Sequence, residues 1–125
     1  PGPVLLLGEG GVAATSRTVL EAAGRSVLHA SRRAPVGAGT VAAFAPVGVV
    51  QATSLGMAPE DPAPFPELLE AAQASARWAV EWIYKEDTAF TIWAREAGLA
   101  LVAGADLFEA QAEAQSRRFI AGCGG

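Results

Sequence analysis

The sequence predicts an α/β fold, a three-layer sandwich with helices on both faces of a mostly parallel sheet. Short apolar runs alternate with helix-favouring segments along the 125 residues, and strands joined by crossover helices are typical of a parallel sheet. The first run, residues 3–7 (PVLLL), is continuously apolar, as expected of a strand buried on both faces. The length fits one domain over residues 1–125.

The elements of the first half follow from the apolar runs and from the residues that end helices. The predicted strands of this half cover residues 3–7, 26–30 and 47–53. A helix over 12–23 is expected to end at Gly24, a C′ glycine. Residues 40–44 provide only one or two helical turns, with Thr40 as the N-cap and Pro46 beyond the end.

In the second half the alternation resumes after a proline-rich loop at residues 54–66. The remaining strands are predicted at 78–84 and 99–104, and the remaining helices at 67–76, at 88–98 and from Asp106 to near Gly122. Pro66 lies at the start of the first of these helices, and Gly98 ends the second. Asp106 and Glu109 resemble a capping box at the start of the last helix.

The composition argues against several classes of protein. A hydrophobic share of 51% argues against disorder, and the apolar runs are too short to span a membrane. The net charge of −4 argues against binding to nucleic acid. A single cysteine, Cys123, and a single histidine, His29, exclude an internal disulfide and a zinc site, and His29 is assigned a structural role. We therefore expect a cytoplasmic domain that binds neither membrane, metal nor nucleic acid.

The most informative short segment is the glycine loop Gly8-Glu9-Gly10-Gly11, which lies between the first strand and the first helix. This is the context of a Rossmann dinucleotide fingerprint: Gly8 permits the tight turn, Gly10 permits close approach of a pyrophosphate, and Ala13 takes the third, packing position. The helix N-terminus then faces the anion. The alternative is a glycine turn that binds nothing, and the Glu9 carboxylate opposes an anionic ligand.

Ser31, Arg32 and Arg33 follow the second predicted strand, where a nicotinamide-binding fold places the group that contacts the adenosine ribose. NAD sites have a carboxylate there, whereas guanidinium groups pair with the 2′-phosphate of NADP. The segment therefore favours NADP over NAD. The alternative is a pair of solvated surface arginines.

Further stretches match the motifs of one family, in the family's order. VVQATSLGM (49–57) is similar to Ile-Asn-Ala-Thr-Pro-x-Gly-Met, EWIY (81–84) to Asp-x-x-Tyr, and GADLFEAQAEAQSRRF (104–119) to a closing Gly-x-x-Met-Leu/Phe-x-x-Gln-Ala segment. With the glycine loop and SRR, they cover nearly the whole chain. The chain thus resembles the C-terminal NADP-binding domain of shikimate dehydrogenases. The resemblance implies an NADP-dependent oxidoreductase that reduces 3-dehydroshikimate to shikimate in aromatic amino acid biosynthesis.

The resemblance also implies a role for individual residues. The pyrophosphate would be lined by Gly8, Gly10, Gly11, Val12 and Ala13. The ribose phosphate would be held by Ser31, Arg32 and Arg33. The nicotinamide side of the cofactor would be contacted by Thr53, Gly104 and Leu107. The substrate would be contacted by Tyr84 and Gln111, for which a strand-end aromatic and a surface amide are the alternative interpretations.

Two of the sequence's departures from the family bear most on function. The segment between SRR and QAT is about half the usual length, so one strand and most of a helix are expected to be absent. The resemblance implies that the family's catalytic lysine and aspartate belong to an N-terminal substrate-binding domain, which we expect to be absent from this chain, and Lys85 lies in the wrong part of the fold to replace that lysine. We expect no catalytic residue in this chain and no activity from the chain alone, with the substrate shared with that other domain.

Two further functions stay open at this point. The shortened segment and Glu9 favour a degenerate Rossmann-like domain that serves as a structural or interaction module without a cofactor. A relative that acts on quinate is the other alternative, because the contacts that distinguish quinate from shikimate lie mostly in the other domain. The oligomeric state is left open.

Overall fold

A computed structural model describes residues 2–52, 65–81 and 88–103 of the chain. The described strands are β1 (Val4–Leu7), β2 (Val27–Ala30), β3 (Gly48–Gln51), β4 (Trp78–Glu81) and β5 (Ala100–Ala103). The described helices are α1 (Gly11–Ala22), α2 (Ala38–Phe44), α3 (Pro66–Gln73) and α4 (Ala89–Glu96). Each strand overlaps a predicted one, and the predicted final helix from Asp106 lies outside the described residues.

The five strands form one sheet in the order β2-β1-β3-β4-β5, and every neighbouring pair is parallel. The predicted α/β fold with a parallel sheet is therefore confirmed. This order is the doubly wound order 3-2-1-4-5-6 without its outermost strand. It agrees with the strand expected to be missing between SRR and QAT, because the short helix α2 carries the chain directly from β2 to β3.

Two apolar cores, one on each face of the sheet, hold the layers together. Successive residues of β1 alternate between them: Leu5 and Leu7 belong to one core, Val4 and Leu6 to the other. The first core also contains residues of the three later helices, among them Val41, Leu68 and Phe90. The second contains Ala13 and Leu20 of α1. The helices thus lie on both faces, which completes the predicted three layers.

Glycines end two helices as predicted. Gly24 follows α1 with φ 83°, and Gly98 follows α4 with φ 75°. In both cases the N–H groups of the glycine and of the next residue donate to carbonyls of the last helical turn, at 2.9–3.0 Å. This is the Schellman arrangement, which favours glycine because only glycine adopts a positive φ without strain.

The start of α2 differs from the prediction. Thr40 was expected to cap a helix over 40–44, but α2 begins at Ala38 and Gly37 is its N-cap. The carbonyl of Gly37 accepts hydrogen bonds from the N–H groups of Thr40 and Val41. Thr40 therefore lies inside the first turn, and no side chain of the described residues caps this helix.

Candidate functional site

The strand order places a switch point between β1 and β3. From β1 the sheet extends to β2 on one side and to β3 on the other. In open parallel sheets, ligands bind at the carboxyl ends of the strands beside such a reversal. The glycine loop begins at Gly8, directly after the carboxyl end of β1, so its position in the fold is the one expected of a ligand site.

Hydrogen bonds to both neighbouring strands hold the start of this loop. The Gly8 N–H donates to the carbonyl of Ala30 at 2.9 Å, and the Ala52 N–H donates to the carbonyl of Leu7 at 2.8 Å. The imidazole Nε2 of His29 donates to the Gly8 carbonyl. Gly8 has a φ of 129° and Gly10 one of 94°, conformations that glycine adopts without strain.

His29 was assigned a structural role, and the structure shows which one. It pairs in register with Leu6 on the face covered by α1, and its ring spans from β2 to the loop that follows β1. The sequence pattern contained no signal for this contact, because the two residues it joins are 21 positions apart. His29 is therefore a support of the glycine loop.

The N-terminus of α1 is open toward the loop. Its N-cap is Gly10, which has no side chain, and no described side chain caps this end. A Cβ built on Gly10 or Gly11 would meet none of the surrounding described residues within 4 Å, so on their side a ligand has room to approach the backbone at both positions. The N–H groups and dipole of a helix N-terminus favour an anion. The loop therefore fits a pyrophosphate.

The two residues that follow in α1 differ in exposure. Val12 is 47% exposed, whereas Ala13 is fully buried in the core between α1 and the sheet. Ala13 thus occupies the close-packing position that the fingerprint assigns to its third glycine. Its side chain is therefore closed off from the loop.

A tight turn follows β2 and presents the two arginines. The Ser31 N–H donates to the carbonyl of Ala34 at 3.2 Å, and the Ala34 N–H donates to the Ser31 hydroxyl at 3.0 Å. Ser31 is nearly buried, whereas Arg32 and Arg33 are exposed. Arg32 makes no hydrogen bond or ion pair within the described part of the chain. Arg33 Nε lies 3.8 Å from Glu9 Oε2.

A cleft of about 390 Å³ connects the glycine loop with this turn, and the described residues that line it are Glu9, Gly10, Ser31 and Arg33. Three of these residues were predicted to hold the cofactor, and the fold brings them together although they come from two separate loops. Arg32 lies outside this lining. Arg33 is therefore the arginine that faces the cleft, and the Glu9 side chain faces the same cleft.

A second polar cluster lies at the carboxyl ends of β3 and β4. Gln51 and Glu81 are register partners and are almost completely buried. The hydroxyl of Thr88, also buried, donates to Glu81 Oε2 at 3.1 Å and accepts from the Thr91 N–H at 3.2 Å, which caps α4. Burial raises the pKa of the Glu81 carboxyl, and the Thr88 hydrogen bond opposes the rise.

Sequence analysis did not detect this cluster. The available signal was two polar residues that end adjacent strands of a parallel sheet, since such ends meet at one edge. Thr88 was placed at the start of the fourth predicted helix, but its second role, the bond to Glu81, depends on the packing of α4 against the sheet. This bond joins the end of β4 to the start of α4.

Several predicted site residues lie outside the described residues: Thr53, Tyr84, Gly104, Leu107 and Gln111. Within residues 2–52, 65–81 and 88–103, no cluster of three or more histidine, cysteine or acidic side chains is positioned to bind a metal. No helix in that same part of the chain is long and apolar enough to cross a membrane.

Comparison with known proteins identifies solved structures that share this fold. No protein-family model matches the chain, and neither does any curated protein. A solved chorismate mutase/shikimate 5-dehydrogenase fusion protein from Clostridium acetobutylicum matches 91% of the chain with a TM-score of 0.63 and 22% identity. The chain has the fold of a part of that structure. Shikimate dehydrogenase 1 from Peptoclostridium difficile matches 88% of the chain with a TM-score of 0.61 and 15% identity.

The chain spans less than half the length of either structure, 46% of the first and 43% of the second. The resemblance to shikimate dehydrogenases, drawn from short motifs, is thus confirmed at the level of the fold. Both matched structures contain further chain, and this chain corresponds to one part of each.

Proposed function

We propose that this chain is the NADP(H)-binding domain of a shikimate dehydrogenase, an enzyme that reduces 3-dehydroshikimate to shikimate. The observation that carries the proposal is the cleft between the glycine loop and the turn after β2. It lies at the carboxyl edge of the sheet, on the β2 side of the glycine loop, and the sheet has a fold shared with shikimate dehydrogenases. The expected setting is cytoplasmic aromatic amino acid biosynthesis.

The described residues would bind the cofactor from two sides. The backbone of Gly10 and Gly11, open to approach, and the first turn of α1 would hold the pyrophosphate. Ser31, Arg32 and Arg33 would hold the phosphate on the adenosine ribose, since a guanidinium pairs with phosphate through two parallel hydrogen bonds. The bound cofactor would supply the hydride that reduces the ketone.

The remaining roles follow from the resemblance. The nicotinamide side would be contacted by Thr53, Gly104 and Leu107, and the substrate by Tyr84 and Gln111. The acid–base residues would belong to a separate N-terminal substrate domain, which would also decide between shikimate and quinate. The chain by itself would bind NADP(H) but not oxidise NADPH when 3-dehydroshikimate is added.

Isothermal titration of the chain with NADP and with NAD tests the cofactor assignment. We expect NADP to bind, and Arg32→Ala and Arg33→Ala each to weaken NADP more than NAD. Arg17→Ala is the matched control, because Arg17 is an exposed arginine of α1 whose charge partner is Glu21, and the cleft lining does not include it. If Arg17→Ala weakened NADP as much as the other two variants, the arginines after β2 would not form a specific site.

One observation favours a second candidate, a Rossmann-like structural or interaction module without a cofactor. The Glu9 carboxylate lines the same cleft as the arginine that would bind phosphate. Absence of heat and of any stabilisation by NADP or NAD would support this candidate. Binding of either nucleotide that competes with pyrophosphate would exclude it.

A further inference from the structure

The ion pair between Glu9 and Arg33 joins the two loops that line the cleft. Arg33 Nε and Glu9 Oε2 lie 3.8 Å apart, and the side chains are 93% and 46% exposed. Glu9 belongs to the loop after β1 and Arg33 to the turn after β2. A ligand that enters between Gly10 and Ser31 therefore meets a carboxylate and a guanidinium together.

These two groups prefer different cofactors. In nicotinamide-binding folds a carboxylate accepts hydrogen bonds from the ribose hydroxyls of NAD, whereas an arginine accommodates the 2′-phosphate of NADP. NAD sites take this carboxylate from a position after the second strand, where this chain has Ser31 and the two arginines. Here the glycine loop itself brings a carboxylate into the cleft.

We propose that Glu9 sets the cofactor specificity of this cleft by opposing the preference for a 2′-phosphate. It holds Arg33, for which the phosphate must compete, and it accepts hydrogen bonds from the ribose hydroxyls of a cofactor that lacks the phosphate. The inference rests on the proposed nucleotide binding and adds a specificity residue to it. Arg32 lies outside the cleft lining, but it is exposed and makes no bond within the described residues, so its guanidinium stays available to a 2′-phosphate.

The size of the effect follows from the exposure of the pair. Exposed ion pairs contribute weakly because water and salt screen them. Removal of the Glu9 charge is expected to tighten NADP about two- to fivefold. The ribose hydroxyls of NAD would lose the fully charged acceptor that Glu9 provides, so the affinity of the chain for NAD would stay equal or fall. The ratio of the two affinities therefore rises, and the rise shrinks as salt is added.

The test is the Kd of the chain for NADP and for NAD, measured by titration at low salt for four proteins: wild type, Glu9→Gln, Arg33→Gln and the double variant. Glu9→Gln should raise the preference for NADP, and the gain should be smaller when Arg33 is also replaced. Glu21→Gln is the control: Glu21 loses the same charge, has an arginine partner at 2.6 Å and is 51% exposed, but lies near the other end of α1. It should change neither Kd.

Each outcome decides between the two proposals. Equal tightening of NADP and NAD by Glu9→Gln would mean a general repulsion of phosphate and would overturn the specificity role. If Glu9→Gln left the preference for NADP over NAD unchanged, or if Glu21→Gln raised that preference as much, the specificity role of Glu9 would be overturned. Binding of NADP by the wild type would still leave the proposed function standing. Binding of neither nucleotide by any variant would overturn both proposals.

Discussion

The buried hydroxyl of Thr88 provides the sharpest test of how the carboxyl edge of the sheet is held. It is 1% exposed, donates to Glu81 Oε2 at 3.1 Å and accepts from the Thr91 N–H at 3.2 Å. Thr88→Val keeps the shape of the side chain but removes both hydrogen bonds. The Glu81 carboxyl then stays buried without this donor, and α4 begins without its cap.

The cost follows from these two losses. Loss of an N-cap hydroxyl costs about 0.5–2 kcal/mol, and leaving a buried polar group without its hydrogen-bond partner costs about 1–3 kcal/mol. Since one hydroxyl makes both bonds, the terms are coupled, and we expect a total of about 2–4 kcal/mol. With a urea m-value of about 2 kcal/mol/M, the unfolding midpoint would fall by roughly 1–2 M.

Urea denaturation of the chain, followed by the fluorescence of its tryptophans, measures this change. Thr88→Ser keeps the hydroxyl and should retain most of the stability. Thr18→Val is the second control, because the Thr18 hydroxyl bonds to a carbonyl on the exposed side of α1; it should cost under about 0.5 kcal/mol. A loss for Thr88→Val no larger than that for Thr18→Val, or an equal loss for Thr88→Ser, would refute the reasoning.

Three further predictions concern other contacts. Burial raises the pKa of Glu81 above its ordinary value of 4.5, so the contribution of this carboxyl to stability is full below that value and is lost as pH rises through the folded-state pKa. Glu81→Gln should abolish this pH dependence. Urea midpoints of wild type and Glu81→Gln that ran parallel across pH would contradict the prediction. Gly48→Ala places a Cβ in steric conflict with the ring of Trp78, so it should cost about 1–3 kcal/mol in the same assay, and a neutral effect would mean that the ring moves freely. His29→Leu removes the hydrogen bond to the Gly8 carbonyl, so it should lower the free energy of unfolding by about 0.5–1.5 kcal/mol and weaken the binding of NADP. Weaker binding of NADP without any loss of stability would instead assign His29 a direct contact with the cofactor.

The elements that sequence analysis predicted well are those that depend on neighbouring residues. The apolar run at 3–7 and the glycines at 24 and 98 predicted a strand and two helix ends, and the structure confirms all three. The start of α2 was predicted wrongly, because threonine is a good N-cap in isolation. Gly37 is the N-cap residue instead, and its carbonyl accepts a hydrogen bond from the N–H of Thr40, so Thr40 lies inside the helix.

The candidate site was predictable in part for the same reason. The glycine loop and the segment of Ser31 and the arginines were found because each is a local pattern with a defined place in a βα unit. Which arginine faces the cleft was not predictable, since it depends on the turn that Ser31 and Ala34 close after β2. Both arginines were predicted to hold the phosphate, and Arg33 is the one that lines the cleft.

By itself the sequence determined the α/β alternation, the glycine loop at the end of the first strand and the basic turn after the second. Only the tertiary structure decided the strand order, the support of the loop by His29, the Glu9–Arg33 pair and the buried bond between Glu81 and Thr88. The physical reason is distance along the chain. Local patterns act through adjacent backbone groups, whereas a parallel sheet brings together strand ends that are far apart in sequence, and only there do their charges meet.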